Sequence, residues 1–266
     1  MFNILRNVWL SCLKVILILD LLVAINCRTF SVSTSSQLLN AMNKVKAGDV
    51  IQLNSTSFRG SFRTERSGSP NAMIVIQGNR QSVISNKEGI GFHLRRANYW
   101  HLKGFMITNS RKGMVFEKSN NNIIENLRIE NIDEEGIHIY DDSRDNVIRE
   151  SNVMMTGIKS SSHGEAIVIG RDFRHWYGRT PDQSDRNIII NNRVGPGFST
   201  EAIVLNEGTC CGLLARNYFD GHGMSDRNGY GCWVKIKGDR YRIEHNSGKA
   251  TVSEGFMVSP IKCSHI

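Results

Sequence analysis

Lys235 and Lys237 stand two residues apart, with Arg240 and Arg242 close behind. In a strand, positions two apart share a face, so both ammoniums would project from one surface. A base together with a cation is what proton abstraction beside a carboxylate requires, because negative charge builds up on the acid as the proton leaves. Lys235, Lys237 and Arg242 are therefore the candidate catalytic residues. Glu165, Glu201 and Glu207 offer oxygen ligands for Ca2+, which could take over the neutralising role. The competing reading makes the same three carboxylates solvated turn residues. No other cofactor is expected.

A second group could hold a substrate. The stretch Arg171-Asp172-Phe173-Arg174-His175-Trp176-Tyr177-Gly178-Arg179 mixes aromatic rings with guanidiniums and follows Ser162-His163-Gly164-Glu165 closely. Aromatic faces stack on sugar rings, and arginine pairs with carboxylates in a planar fork. Arg171, Arg174, Trp176 and Tyr177, with His138, Tyr140, His163 and Asn206, are the candidate binding residues. A loop that folds back to cover apolar surface with Trp176 and Tyr177 is the plainer alternative. A further insertion runs from Gly221 to Tyr230.

The elements that must position these groups repeat. Asn122-Ile123-Ile124, Asn146-Val147-Ile148 and Asn187-Ile188-Ile189 each open a short strand, and a further apolar residue follows at Ile129, Val153 and Val194. Alternating strands come next: Gly136-Ile137-His138-Ile139, Ala166-Ile167-Val168-Ile169 and Ala202-Ile203-Val204-Leu205. Phe92, Met114 and Ile137 are separated by 22 and 23 residues, and the next two intervals widen to 30 and 36 where loops enter. Short β-branched strands at this period indicate a solenoid, and helical periodicity is missing between them. The pattern predicts an all-β, right-handed parallel β-helix of about seven coils. Ile137, Ile167, Ile203 and Val234 should point inward. His138, Val168, Val204 and Lys235 should form one outward row, and Tyr140, Gly170, Asn206 and Lys237 the next. The asparagines near coil corners suit tight left-handed turns and could also form ladders along the stack.

The first stretch differs. Arg6 precedes an apolar run from Val8 to Ala24, broken by Lys14 and Asp20, which reads as a signal peptide over residues 1–27 and makes a retained span the poorer reading. Secretion follows, with residues 28–266 as one β-helix domain and no membrane span after cleavage. The amphipathic segment Ser35–Met42 predicts a capping helix within a cap over residues 34–53. Such a helix would cover apolar core and strand edges at the open end of a solenoid. Asn54-Ser55-Thr56 is an N-glycosylation acceptor. Of six cysteines, Cys210, Cys211, Cys232 and Cys263 would remain after cleavage, enough for two disulfides. The net charge of +8 suits a polyanionic partner, although it also serves solubility, and no basic run is dense enough to expect nucleic acid.

The segment SQLLNAMNKVKAGDVIQL is similar to the amino-terminal cap of the pectate-lyase-like superfamily of secreted right-handed parallel β-helix proteins. HGEAIVIG, EAIVLNEGT and GCWVKIKGDRYRIEHNSG resemble a subgroup that includes lyases. The resemblance implies a monomer that acts on uronate-containing, acidic polysaccharide by β-elimination. In that subgroup the last motif usually carries an acid where Lys235 stands, another at Gly231 and a lysine where Asn206 stands; an acid is also common at Val204. These departures imply a changed substrate preference or a non-catalytic matrix, surface or host-interaction protein that binds polyanions. Asp141-Asp142, Gly221-His222-Gly223 and Lys235-Ile236-Lys237 mimic pieces of polygalacturonases. However, 80 residues separate Asp142 from His222, about three coils or ~14 Å, beyond the ~6.5–9.5 Å of an inverting carboxylate pair. Hydrolysis is not expected.

Overall fold

The computed structural model describes residues 27–160, 163–224 and 231–259. The predicted signal peptide, apart from Cys27, lies outside the described residues, as do Cys263 and most of the 221–230 insertion. Within the described residues no helix is long and apolar enough to cross a membrane.

Three parallel sheets of nine, eight and eight strands run side by side along one axis, and the chain visits each once per coil. This is the expected β-helix, with eight full coils and one extra first strand in place of about seven coils. The count rises because the early coils (Val50–Leu53 to Phe62–Thr64, then Ile74–Gln77 to Ile90–Arg95) lack the Asn-Ile-Ile opening. They carry the same alternation of buried and outward side chains. Thr29–Val32 pairs in register with Val50–Leu53, so the fold begins before the predicted cap.

Helix α1 (Ser35–Lys44) forms where expected. Thr34 and Gln37 close a capping box at its start, and Leu38, Ala41 and Met42 are buried over the end of the core. Behind it stack Phe58, Phe62, Phe92, Phe105 and Phe116 with long columns of isoleucine. In the third sheet Ile137 pairs with Ile167, Ile167 with Ile203 and Ile203 with Val234, all fully buried. The outward row His138, Val168, Val204, Lys235 is paired in the same register, as the alternation predicts.

The corner asparagines form ladders. Asn122 Nδ2 donates to Asn146 Oδ1 at 2.9 Å, Asn146 Nδ2 to Asn187 Oδ1 at 3.1 Å, and each Oδ1 also accepts the backbone N–H of the coil before. A second ladder joins Asn192, Asn217 and Asn246. The left-handed corner positions fall instead on neighbours such as Asn121, Asp145, Glu150, Arg186 and Arg216. The ladder asparagines are thus selected for amides that both donate and accept.

Cys210 and Cys211 bond to each other, because Cys211 takes a left-handed φ of 64° and the chain turns there instead of running on as a strand. Cys232 is a buried free thiol.

Replacing Asn146 with Ala should destabilise the fold by about 1–3 kcal/mol, since buried groups on two neighbouring coils lose their partner. Asn146→Asp should also destabilise, because a carboxylate cannot donate. Denaturant unfolding checks both, and wild-type midpoints would refute the ladder's role.

Candidate functional site

The third sheet carries a cavity of about 490 Å³ on its outer surface, between the coils of Lys112 and Lys237. Val168 and Val204 form its apolar floor. Gly170 ends the strand Ile167–Ile169 with φ 80°, and a Cβ there would lie 2.4 Å from the Thr209 methyl, so only glycine fits. Its carbonyl accepts from Asn206 Nδ2 at 3.0 Å and from His138 Nε2 at 3.2 Å.

Lys235 and Lys237 both reach the cavity from the strand Val234–Ile236 and the residue after it. Lys235 Nζ lies 2.9 Å from Glu201 Oε1. Burial works against its charge, but Glu201 more than compensates and holds its pKa above the ordinary lysine value. Lys237 Nζ lies 3.0 Å from Asp172, 3.4 Å from Glu207 and 3.3 Å from Asn206 Oδ1. Arg242 is not part of this arrangement. Its strand, Arg242–Glu244, belongs to the first sheet, and its side chain is 73% exposed and paired with Glu244. The chain passes from the third sheet to the first between Ile236 and Arg242, so nearness in sequence to Lys237 does not bring Arg242 to the same face.

One further column of side chains is not among the rows that strand alternation predicts. Lys112, Glu135, Glu165 and Glu201 each sit two residues before the paired Met114, Ile137, Ile167 and Ile203, and all four line the cavity. That shared offset was the available signal. Lys112 Nζ pairs with Glu135 at 2.9 Å, and Lys235 pairs with Glu201. Glu165 lies between them with its pKa raised to about 8, first by burial and then by the neighbouring carboxylates Glu201 and Glu135. His138 is pushed down to about 4 by burial, so at neutral pH it is uncharged, with Nε2–H facing Gly170 O and Nδ1 3.7 Å from Glu135.

The aromatic loop overhangs the cavity. Asp182 pins its end, accepting the backbone N–H groups of Asp141, Asp142 and Arg171. Arg171 lines the cavity while pairing with Asp141 and lying 4.2 Å from the Tyr140 ring and 5.0 Å from Tyr177. Trp176 donates its indole N–H to Arg171 O at 3.1 Å and folds back, whereas Tyr177 is 70% exposed. His163, Arg174 and Asn206 line the cavity; Tyr140 stands beside it, its ring 4.6 Å from His138. Asp172 and His175, not singled out from the sequence, line it too.

Among the described residues no three His, Cys, Asp or Glu side chains form a group that could hold a metal ion. Glu201 and Glu207 face lysines, on opposite ends of one strand, so two of the three carboxylates are already neutralised.

The family model of the Pel9A-like right-handed β-helix region matches residues 26–165. An alginate lyase from Paenibacillus sp. str. FPU-7 is 33% identical, with 83% of this chain and 76% of that one covered and a TM-score of 0.78. The chain belongs to the Pel9A-like right-handed β-helix family. Two more distant structures share the fold. Pectate lyase Pel9A is 17% identical over 88% of this chain and 68% of its own, with a TM-score of 0.71. Pectate lyase Bsp165PelA from Bacillus sp. N165, solved with trigalacturonate, is 13% identical over 86% and 84%, with a TM-score of 0.54. No curated protein sequence matches the chain. Within this family the cavity sits on a lyase-like scaffold, and its chemistry rests on the residues described above.

The infrared spectrum at pH 7 should contain one protonated carboxylic C=O band that Glu165→Gln removes and that titrates away near pH 8. Identical wild-type and variant spectra would show Glu165 to be ionised.

Proposed function

We propose that the protein is a secreted polysaccharide lyase that cleaves a uronate-containing polymer by β-elimination. The observation that carries this reading is the cavity itself: two lysines from one strand end meet an uncharged glutamic acid above an apolar floor. The likeness to an alginate lyase supports it.

The chemistry divides among three groups. Substrate binding draws Glu201 away from Lys235, whose Nζ in its neutral form takes the proton from the carbon beside the uronate carboxylate. The electrons of that C–H bond form the new carbon–carbon double bond, and the glycosidic C–O bond breaks. Glu165 gives its proton to the departing oxygen, which a carboxyl group can do only while uncharged. Lys237 stabilises the carboxylate as charge develops on it. No step requires a bound metal, in keeping with carboxylates already committed to lysines.

The pH dependence follows from these shifts. The base titrates above the ordinary lysine value and the acid near 8, so the active pairing of neutral Lys235 with protonated Glu165 is a minor form at every pH. Its population climbs with pH up to about 8, levels off, and falls above the lysine pKa. The expected optimum is therefore alkaline. Glu201→Gln removes what holds the Lys235 pKa up and should bring the falling limb to lower pH.

The test follows the absorbance of unsaturated uronate on pectate, alginate and glycosaminoglycans, with and without chelator. Absorbance should rise on one polymer, unaffected by chelator, and Lys235→Ala should reduce the rate at least 100-fold. No rise on any polymer, with binding retained, would establish the non-catalytic reading, which the full pairing of both lysines favours.

A further inference from the structure

Asp172 is held as a ligand would be. Arg174 Nε lies 2.7 Å from Asp172 Oδ1 and Arg174 Nη2 3.2 Å from Oδ2, while Lys237 Nζ lies 3.0 Å from Oδ2. One carboxylate thus receives a two-pronged guanidinium and an ammonium inside the cavity, the geometry by which a free sugar carboxylate would be bound. We propose that Arg174 and Lys237 form the subsite for one uronate carboxylate of the polymer, and that Asp172 occupies this subsite in the empty protein as an internal competitor. This rests on the uronate reading above and adds where the acid group sits and what it must displace.

Three features separate Asp172 from a mere structural anchor. First, Asp172 and Arg174 ride on the overhanging loop, at the start of the short turn Phe173–His175, whereas Lys237 extends from the sheet. Second, Lys237 keeps a sheet-borne partner in Glu207 at 3.4 Å, so losing Asp172 does not leave its charge unpaired. Third, Arg174 is 69% exposed, so its guanidinium can follow an incoming group. Burial opposes the charge on Asp172, yet Arg174 and Lys237 hold its pKa far below the usual range, so it remains an anion under all ordinary conditions.

Exchange of Asp172 for a uronate carboxylate leaves the charge of the subsite unchanged, whereas a neutral sugar cannot make that exchange. The internal carboxylate therefore works as a filter: an acidic ligand must displace it to enter the subsite, and only a group bringing an equivalent anion can do so. Its removal should strengthen anion binding.

Titration calorimetry at pH 6, where the proposed base is protonated and turnover slow, tests this with trimers of galacturonate and of mannuronate and with neutral maltotriose. Asp172→Asn should bind the preferred uronate trimer three- to tenfold more tightly than wild type. The gain should vanish when Arg174→Ala is added, and maltotriose should be unaffected. Equal or weaker uronate binding by Asp172→Asn, with unchanged thermal unfolding, would overturn the proposal and make Asp172 a positioning residue; an equal gain for maltotriose would also overturn it. If neither wild type nor variant binds either uronate trimer, the uronate reading itself falls.

Discussion

Every outward side chain in this molecule owes its position to the parallel hydrogen bonding of one coil to the next in strict register. A parallel stack has no local turn to define register, and a slip of one residue would exchange its inner and outer faces. Register is secured by the columns of isoleucine and phenylalanine inside and by the asparagine ladders at the corners. The ladders also solve a problem the apolar columns cannot. Where the chain leaves one sheet for the next, its backbone groups have no strand partner, and the amides of Asn122, Asn146 and Asn187 satisfy them from the adjacent coil.

The same register converts sequence offsets into neighbours in space. Residues from widely spaced parts of the chain, Lys112, Glu135, Glu165 and Glu201, meet because each stands two residues before a paired inward position, and Lys235 joins them from the outward row one residue after the inward Val234. Intervening loops change the interval but not the offset. The widened intervals after Ile137 and Ile167 accordingly add an overhanging wall without disturbing the floor. The aromatic loop can vary in length because its end is tied at one carboxylate, Asp182, which gathers three backbone N–H groups from two coils.

This explains what could be read in advance. The β-helix, the inward column, the outward row with Lys235 and the capping helix follow from alternation and spacing, which are local properties of the chain. Arg242 was misplaced because a coil turns a corner within a few residues, and the strand boundary at Gly238–Tyr241 has no strong breaker pattern. Glu165 and Glu201 are recognisable as acidic, but the Lys235 partner of Glu201 is not. Pairing with Lys235 depends on side-chain reach across a coil boundary, and Lys112 and Glu135 lie in coils whose outward positions looked unremarkable. The mutual bond of Cys210 and Cys211 was hidden for a similar reason: it depends on a left-handed residue at a corner, where a strand would have separated the two sulfurs.

The column of three glutamates is the least expected result of regular stacking. Coils recur at ~4.8 Å, so Glu135, Glu165 and Glu201 cannot spread apart. Lys112 at one end and Lys235 near the other each satisfy one carboxylate, and among the described residues the middle one has no ion-pair partner. Burial alone already raises a carboxyl pKa. The carboxylates of Glu201 and Glu135 add to that rise, by less than burial does. Together these effects account for a Glu165 that keeps its proton to about pH 8. A solenoid can therefore produce an uncharged acid by repeating the same acidic residue on three adjacent coils, burying the middle one, and, among the described residues, pairing only its two neighbours with cations.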